Sequence, residues 1–311
     1  MNQLEDVSIY IKGECCMFNF TLSNFFSGYK INLIFMELLS GRKEYLKAPI
    51  NFNQVAGSFP FNTWNGGYNS CLDGNIVTYN EMDKCFESYA QALRLNFSSI
   101  VLEKEDFYNN YNRMILEKAQ NGSTAIEIAN LQLYEYIKEK YPHYTKFILS
   151  PTAWEIIDLT PEMVNVILEN PDFQLVSLPS KLAHDFEYID QITQKNKIEI
   201  CVNPGCPAVC KNYSKCVLAE NINQYEFSGH SVFTECPKTY IYNTNPQTMS
   251  LEHIKEEYVK LGITHFRLAN CANHQLIQYF TFLVKYFIKE EYQTKMLEEG
   301  LILIASSQME G

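Results

Sequence analysis

Short apolar runs alternate with amphipathic segments from about residue 50 onward. The runs have the length of buried strands, and the segments have the apolar spacing of helices that cover one face of a sheet. This alternation predicts repeated βαβ units and a parallel sheet. The predicted strands are 52–56, 98–102, 124–128, 146–149, 174–178, 198–202, 239–242 and 264–268. The predicted helices are 24–40, 79–94, 106–119, 131–140, 161–169, 185–194, 251–261 and 275–290.

Eight strands are the number that closes a (β/α)8 barrel, a fold of about 250 residues in its common form. We therefore predict an α/β protein with a TIM-like (β/α)8 barrel, regular or irregular, over residues 51–311 and an N-terminal extension over residues 1–50. An open doubly wound sheet has the same rhythm with fewer strands and remains the alternative. In both folds, ligands bind at the loops that follow the carboxyl ends of the strands.

Residues beside the predicted helices mark where two of them begin and one ends. Thr160 precedes Pro161, and Ser250 precedes the helix 251–261. Hydroxyl side chains at these places accept hydrogen bonds from the unpaired N–H groups of a first helical turn. Gly262 follows the last apolar residue of the helix 251–261, where a left-handed residue commonly ends a helix.

The charge and the apolar stretches exclude several classes of partner. The chain has 25 Lys and Arg residues against 36 Asp and Glu residues, a net charge of −11, which argues against general binding of nucleic acid or an anionic membrane. Its first residues lack a signal peptide, and the apolar stretches 31–39 and 279–288 are too short or too interrupted to span a bilayer. We predict a cytoplasmic protein that acts on a small molecule or a peptide. The oligomeric state is left open.

Ten cysteines in a cytoplasmic chain favour metal or redox chemistry where they cluster. Cys206 and Cys210 are separated by three residues in a Pro- and Gly-containing turn after the strand 198–202, and Cys216 and Cys236 complete a cysteine-rich loop at 203–238. Four thiolates can bind zinc or a [4Fe–4S] cluster. A zinc site usually has two separated pairs of cysteines. One pair followed by two single thiols therefore fits an iron–sulfur cluster better than zinc. Cys201 and Cys271 remain alternatives for the fourth ligand.

Other candidate site residues follow predicted strands. The sequence Trp64-Asn65-Gly66 allows a ligand to approach the backbone closely, or it forms a tight turn packed by the tryptophan. An imidazole beside a carboxylate, as in His184-Asp185, is typical of an acid–base pair, although Asp185 also fits the N-cap of the next helix. The predicted catalytic residues are His184 and Asn203. The predicted substrate-binding residues are Trp64, Asn65, Gly66 and Asn270.

Three segments carry a resemblance to a known family: VNPGCPAVCKNYSKC at 202–216, FTECPKTYIYN at 233–243 and SLEHIKEEYVKLGITHFRLAN at 250–270. Together with FPFNTWNGGY at 59–68, they resemble the U32-peptidase-like (collagenase-like) barrel proteins. Some members of this group carry a four-cysteine iron–sulfur cluster and act in oxygen-independent hydroxylation of RNA bases or quinone precursors. The resemblance implies that Cys206, Cys210 and Cys236 are shared thiols, and Cys216 stands where relatives often have His.

The sequence also departs from the pattern of this group. Lys211 replaces a proline, Tyr213 replaces an arginine, and Asn270-Cys271 stands where Gly-Arg is expected. Loss of that arginine removes a group suited to binding a carboxylate or phosphate, so a specific substrate is not carried over. No serine nucleophile elbow or HExxH motif is present, and protease activity is not predicted.

Two hypotheses follow from these observations. The first is an iron–sulfur barrel enzyme that carries out redox modification of an unidentified substrate, such as oxygen-independent hydroxylation. The second is a non-catalytic binding or accessory barrel protein with a structural zinc site. Whether the protein is an enzyme therefore depends on what the thiols hold.

Overall fold

The computed structural model of the protein describes residues 18–23, 25–59, 62–66, 82–84, 86–87, 92–204, 213–223, 248–268 and 276–309. Eight strands form a closed barrel in which each strand pairs in parallel with the next and the last pairs with the first. The strands are β1 (Phe18–Leu22), β2 (Ile50–Gly57), β3 (Leu93–Phe97), β4 (Ala125–Ile128), β5 (Phe147–Leu149), β6 (Phe173–Leu178), β7 (Ile198–Cys201) and β8 (His265–Arg267). The predicted α/β barrel is confirmed.

Six predicted strands overlap the observed ones, and two do not. The predicted strand 98–102 is wrong, because β3 ends at Phe97 and residues 98–102 form the loop after it. The predicted strand 239–242 lies outside the described residues. The barrel instead begins at β1, which pairs with β2 on one side and β8 on the other. The barrel thus includes a strand from the region expected to be an N-terminal extension, and the cysteine-rich segment follows the seventh strand rather than the sixth.

Helices alternate with the strands on the outside of the barrel. They are α1 (Phe25–Leu39), α2 (Asn110–Gly122), α3 (Leu131–Lys140), α4 (Pro161–Glu169), α5 (Ser180–Ala183), α6 (Phe186–Asp190), α7 (Tyr213–Asn223), α8 (Leu251–His253), α9 (Leu276–Phe287) and α10 (Glu290–Met309). After α8, the helical path continues through one π-helical segment and a short 3-10 segment up to Leu261. None of the helices in the described ranges is long and apolar enough to cross a membrane.

The predicted helix ends are confirmed by their contacts. The Thr160 hydroxyl accepts a hydrogen bond from the Met163 N–H, with Pro161 in the first turn of α4. Ser250 accepts from the His253 N–H at the start of α8. Gly262 has φ +92° and ends the helical path before β8. These local signals position α4 and α8 against the strands that they connect.

Apolar side chains lie between the barrel and its outer helices. Alternate strand residues, such as Leu93 and Leu95 in β3 and Ile198 and Ile200 in β7, belong to one large buried cluster. A much smaller apolar group is separate from this cluster. It has one residue from each of three neighbouring strands, Ala125 in β4, Ile148 in β5 and Leu175 in β6. Because successive strand residues point to opposite faces, the residues between the outward-facing ones form the inside of the barrel.

Candidate functional site

The inside of the barrel is polar and contains four charged side chains. Polar residues occupy alternate strand positions, namely Thr21 in β1, Arg94 and Asn96 in β3, Glu127 in β4, Ser177 in β6, Glu199 in β7, and His265 and Arg267 in β8. The interior of a TIM barrel is more commonly filled by layers of branched apolar side chains. A polar interior of this kind therefore requires a specific set of partners for each charge.

The four charges form an alternating chain of ion pairs. Arg267 Nη1 lies 2.7 Å from Glu127 Oε2, and Arg94 Nη2 lies 2.7 Å from the same carboxylate oxygen. Arg94 Nη1 lies 2.7 Å from Glu199 Oε1. Arg94, Glu127 and Glu199 are almost completely buried, whereas 13% of the Arg267 side chain is exposed. The chain thus leads from the closed interior to a guanidinium that reaches solvent.

Hydroxyl groups complete the coordination of both carboxylates. Ser150 donates to Glu127 Oε1 at 2.9 Å, and Ser98 approaches the same atom at 3.4 Å. Thr21 donates to Glu199 Oε1 at 2.9 Å, and Ser177 donates to Glu199 Oε2. Each buried carboxylate therefore has guanidinium and hydroxyl donors, the condition under which a buried charge is tolerated.

Both carboxylates are ionised at neutral pH. Burial alone would raise the pKa of Glu199, but Arg94 and Arg267 outweigh it and lower the pKa to about 2. Burial likewise opposes ionisation of Glu127, and the same two guanidinium groups lower its pKa overall. A carboxyl group whose pKa is lowered is a weaker base and has no proton to donate at neutral pH. Their role in this arrangement is to hold the two arginines in fixed positions.

Acid is expected to destabilise the protein through Glu199. The folded-state pKa of about 2 lies below the ordinary value of 4.5, so the ionised carboxylate stabilises the fold fully above about pH 4.5. This contribution is lost as the pH falls from about 4.5 towards 2. Urea unfolding across this window is therefore expected to give a free energy of unfolding that falls less steeply in Glu199→Gln than in the wild type. The control variant is Glu256→Gln, which replaces an exposed carboxylate, and all three proteins are measured at high ionic strength. Equal slopes of the free energy of unfolding against pH in the three proteins would contradict the role assigned to Glu199.

The predicted Trp64-Asn65-Gly66 element is a tight turn at the carboxyl end of the barrel. Trp64 is fully buried and packs edge-on against Phe97 and Tyr136, and its backbone oxygen accepts from the Ser99 N–H at 2.9 Å. Asn65 is buried, and Gly66 has φ +72°. Of the two interpretations offered by the sequence, the tight turn packed by the tryptophan describes the Trp64 ring. The backbone that comes close to Gly66 is that of the loop after β3.

His184 and Asp185 occupy the expected loop but make separate contacts. Asp185 accepts from the Tyr188 N–H as the N-cap of α6. His184 Nδ1 lies 3.0 Å from the Tyr258 hydroxyl on the helical path after α8. Partial burial lowers the pKa of His184, and nearby His253 lowers it further. The pairing of imidazole and carboxylate that the sequence suggested is therefore replaced in the structure by an imidazole–phenol contact.

The remaining predicted residues divide between the described and the undescribed parts of the chain. Asn203 follows β7 and is buried, and Cys216 lies half-buried on α7. Asn270, Cys206, Cys210 and Cys236 lie outside the described residues. Within the described ranges, no three His, Cys, Asp or Glu side chains come together to hold a metal ion. The predicted metal site thus remains a prediction.

Glu103 and Asp106 form a pair of carboxylates that caps a helical turn after β3. Glu103 caps the helical turn that follows it, and the Asp106 carboxylate accepts from the Glu103 N–H at 2.8 Å. This reciprocal arrangement is a capping box. Both carboxylates therefore bond to backbone N–H groups at the start of this turn.

An open cleft of about 570 Å³ lies beside the barrel mouth. The loop after β5 and the segment from α5 to α6 line it, with Trp154, Ile156, Leu159 and Leu182 among its apolar residues. Lys181 and Asp158 add opposite charges to the lining. The cleft and the Arg267 end of the ion-pair chain both belong to the carboxyl side of the barrel, where barrel proteins bind their ligands.

Sequence reasoning missed the polar interior, although the chain carries a signal for it. The strands read LRLNF, AIEI, IEIC and HFR, each with a charge between apolar neighbours. A charge in the middle of a short buried strand must face a partner. Four such strands in one barrel, two acidic and two basic, indicate a neutral set of interior ion pairs.

Comparison with known proteins gives one similarity in fold. No protein-family model matches the chain, and no curated protein does. Among solved structures, that of the U32 peptidase Mk0906 is similar, with a TM-score of 0.49 and 11% sequence identity over 85% of this chain and 97% of that chain. The barrel fold predicted from the sequence is confirmed by the closed eight-stranded sheet itself.

Proposed function

We propose that the protein is an iron–sulfur enzyme with a U32-peptidase-like barrel, which carries out redox modification of a small molecule or peptide in the cytoplasm. Oxygen-independent hydroxylation is the type of reaction that the sequence resemblance suggests. The observation that supports this proposal is the location of the cysteine-rich segment. It begins at the carboxyl end of β7, and α7, which carries Cys216, packs on the loop after β3 at the same end of the barrel.

The donor set fits an iron–sulfur cluster in its chemistry. Cys206, Cys210, Cys216 and Cys236 provide four thiols in one segment, and four thiolates are the common ligand set of a [4Fe–4S] cluster. Cys216 is half-buried, at the border between protein and solvent, where its thiol is accessible to a cluster that the other three thiols also bind. When bound, such a cluster would exchange single electrons with a neighbouring group.

Residues of the barrel itself would position the substrate. Arg267 is held by Glu127 and by the Ser23 hydroxyl, 3.2 Å from Arg267 Nε, so its orientation is fixed before a ligand arrives. A preorganised guanidinium favours an anionic or carbonyl oxygen in the substrate. Asn203 is proposed to orient a polar substrate group beside β7. His184 is proposed as the acid–base group, with its Nδ1 fixed by Tyr258.

Anaerobic purification followed by a visible spectrum and metal analysis tests the proposal. The wild type is expected to be brown with about four iron atoms per chain, whereas Cys206→Ala and Cys210→Ala should retain less than about one. Removal of one thiolate opens the ligand set, which explains the loss. Cys71→Ala is the matched control, because Cys71 lies far from the cysteine-rich segment in the sequence, and it should keep the iron of the wild type.

The same measurement decides between the proposal and its alternative. A colourless protein with one tightly held zinc, lost in Cys206→Ala, would replace the redox function with a structural site in a binding or accessory protein. Fresh anaerobic protein with neither metal would contradict both functions. Iron that persists in both cysteine variants would show that these thiols do not hold it.

A further inference from the structure

The helix α7 lies on the side of the barrel opposite to the strand that it follows. In a closed ring of eight strands, β7 and β3 are four places apart and therefore face each other across the mouth. Nevertheless, α7 contacts Ser99 and Ile100 after β3, and it packs near Pro151–Glu155 after β5. The outer helical path between β7 and β8 is formed by α8 and its continuation. Thus α7 is an additional element on the carboxyl end of the barrel.

Asn221 makes the hydrogen bonds that join α7 to the loop after β3. Its side-chain oxygen accepts from the Ile100 N–H at 2.8 Å and from the Ser99 hydroxyl at 3.1 Å. Its amide nitrogen donates to the Val217 carbonyl at 2.9 Å, one turn earlier in α7. Asn221 is 1% exposed. An amide that is buried and bonded on both ends specifies one position for the helix, because any shift leaves a buried polar group unpaired.

The loop held by Asn221 is directly connected to the polar interior. Ser98 is the first residue of this loop, and its carbonyl accepts from the Thr152 hydroxyl at 3.0 Å. The hydroxyls of Ser98 and Ser150 both face Glu127. All of these groups are buried. The contact of α7 with Ser99 and Ile100 therefore lies beside Glu127 in the ion-pair chain.

We infer that Asn221 is a positioning residue for the thiol site, because it fixes α7, and Cys216 with it, on the barrel mouth. Cys216 precedes Asn221 by five residues, or roughly 7.5 Å along a helix axis. A half-buried thiol on a helix that is fixed by a buried amide has a defined position relative to Glu127 and Arg267. The role of Cys216 as a ligand rests on the proposed function. The role of Asn221 in fixing α7 rests only on the contacts given above.

Asn221→Leu tests the inference, because leucine has a similar size and no hydrogen-bonding atoms. Asn165→Leu is a control with the same bonding pattern at a partly exposed site. Asn165 also accepts from a backbone N–H and a hydroxyl, both of Thr193, and donates to a backbone carbonyl, that of Gln191. Ser99→Ala removes one bond to Asn221 and covers the case in which Asn221→Leu does not fold.

Hydrogen exchange and iron release are the two measurements. In metal-free protein, Asn221→Leu is expected to speed exchange of the Ile100 amide and of α7 by about tenfold or more, while β4 and β5 keep the wild-type rates. In anaerobically prepared protein, iron loss to a chelator should be about tenfold faster. The electron paramagnetic resonance spectrum of the reduced cluster should also change. Ser99→Ala should give smaller effects in the same direction, and Asn165→Leu should give none at either place.

Two results would overturn the inference. Wild-type exchange at Ile100 in Asn221→Leu would show that the amide does not hold α7. Faster exchange with unchanged iron release and spectrum would show that α7 does not position the thiol site. If the wild type contains no iron, the proposed function fails, and the rate of Cys216 alkylation in metal-free protein takes the place of iron release. An alkylation rate unchanged by Asn221→Leu would then overturn the positioning role.

Discussion

Replacing Arg94 with methionine is expected to lower the free energy of unfolding by about 3–5 kcal/mol, because it leaves two buried carboxylates without their shared partner. Arg94 lies 2.7 Å from both Glu127 and Glu199 and is fully buried. Methionine fills much of the same space, so the lost charge dominates over a lost volume. Urea unfolding at neutral pH, followed by circular dichroism, measures the change.

A control variant compares the loss of a buried cation with the loss of an exposed one. Lys260→Met removes a cation from an exposed ion pair with Glu256 and should change the free energy of unfolding by about 0.5 kcal/mol or less. In a second variant, Arg94→Met is combined with Glu199→Gln, which removes the carboxylate that has lost its guanidinium contact while Glu127 keeps Arg267, and this should recover part of the loss. A loss below about 1 kcal/mol in Arg94→Met alone would show that the carboxylates find other partners or water.

The barrel could be predicted because its outward-facing residues follow a local pattern. Apolar runs and helix caps such as Thr160 depend on neighbours in the sequence, and six of the eight predicted strands overlap observed strands. The errors arose where inward-facing polar residues broke the apolar run. In β3, Arg94 and Asn96 interrupt the apolar residues of LRLNF, whereas the apolar residues 100–102 are consecutive, so the local pattern favours a strand at 98–102 instead. The strand β1, FNFTL, was missed for the same reason.

The interior site could not be predicted from local pattern, because its pairs join distant parts of the chain. Arg94 and Glu199 are 105 positions apart, and Arg267 and Glu127 are 140 apart. Only the order and register of the strands bring them together. The sequence gives the charges and the alternation, from which a polar interior follows. It does not specify which arginine meets which carboxylate.

Gly66→Ala is the second substitution with a large expected effect, at about 2–4 kcal/mol in the free energy of unfolding. Gly66 has φ +72°, a conformation that a side chain disfavours. A Cβ at this position would also lie 2.9 Å from the Ser98 carbonyl oxygen and 3.1 Å from Asn221 Oδ1. The Ser98 oxygen cannot move freely, because it accepts from the Thr152 hydroxyl. The clash would therefore fall on the contact between α7 and the loop after β3.

Gly41→Ala isolates the backbone contribution to this effect. Gly41 has φ +74°, close to that of Gly66, but a Cβ there would have no neighbour within 4 Å. Gly41→Ala should therefore cost only the left-handed strain, about 1–2 kcal/mol, and the difference between the two variants measures the clash at the barrel mouth. Hydrogen exchange at Ile100 and in α7 should be faster in Gly66→Ala and unchanged in Gly41→Ala. Equal losses of stability in the two variants would show that the turn yields to the new methyl group, so that Gly66 is required for its backbone conformation alone and not for the approach of α7.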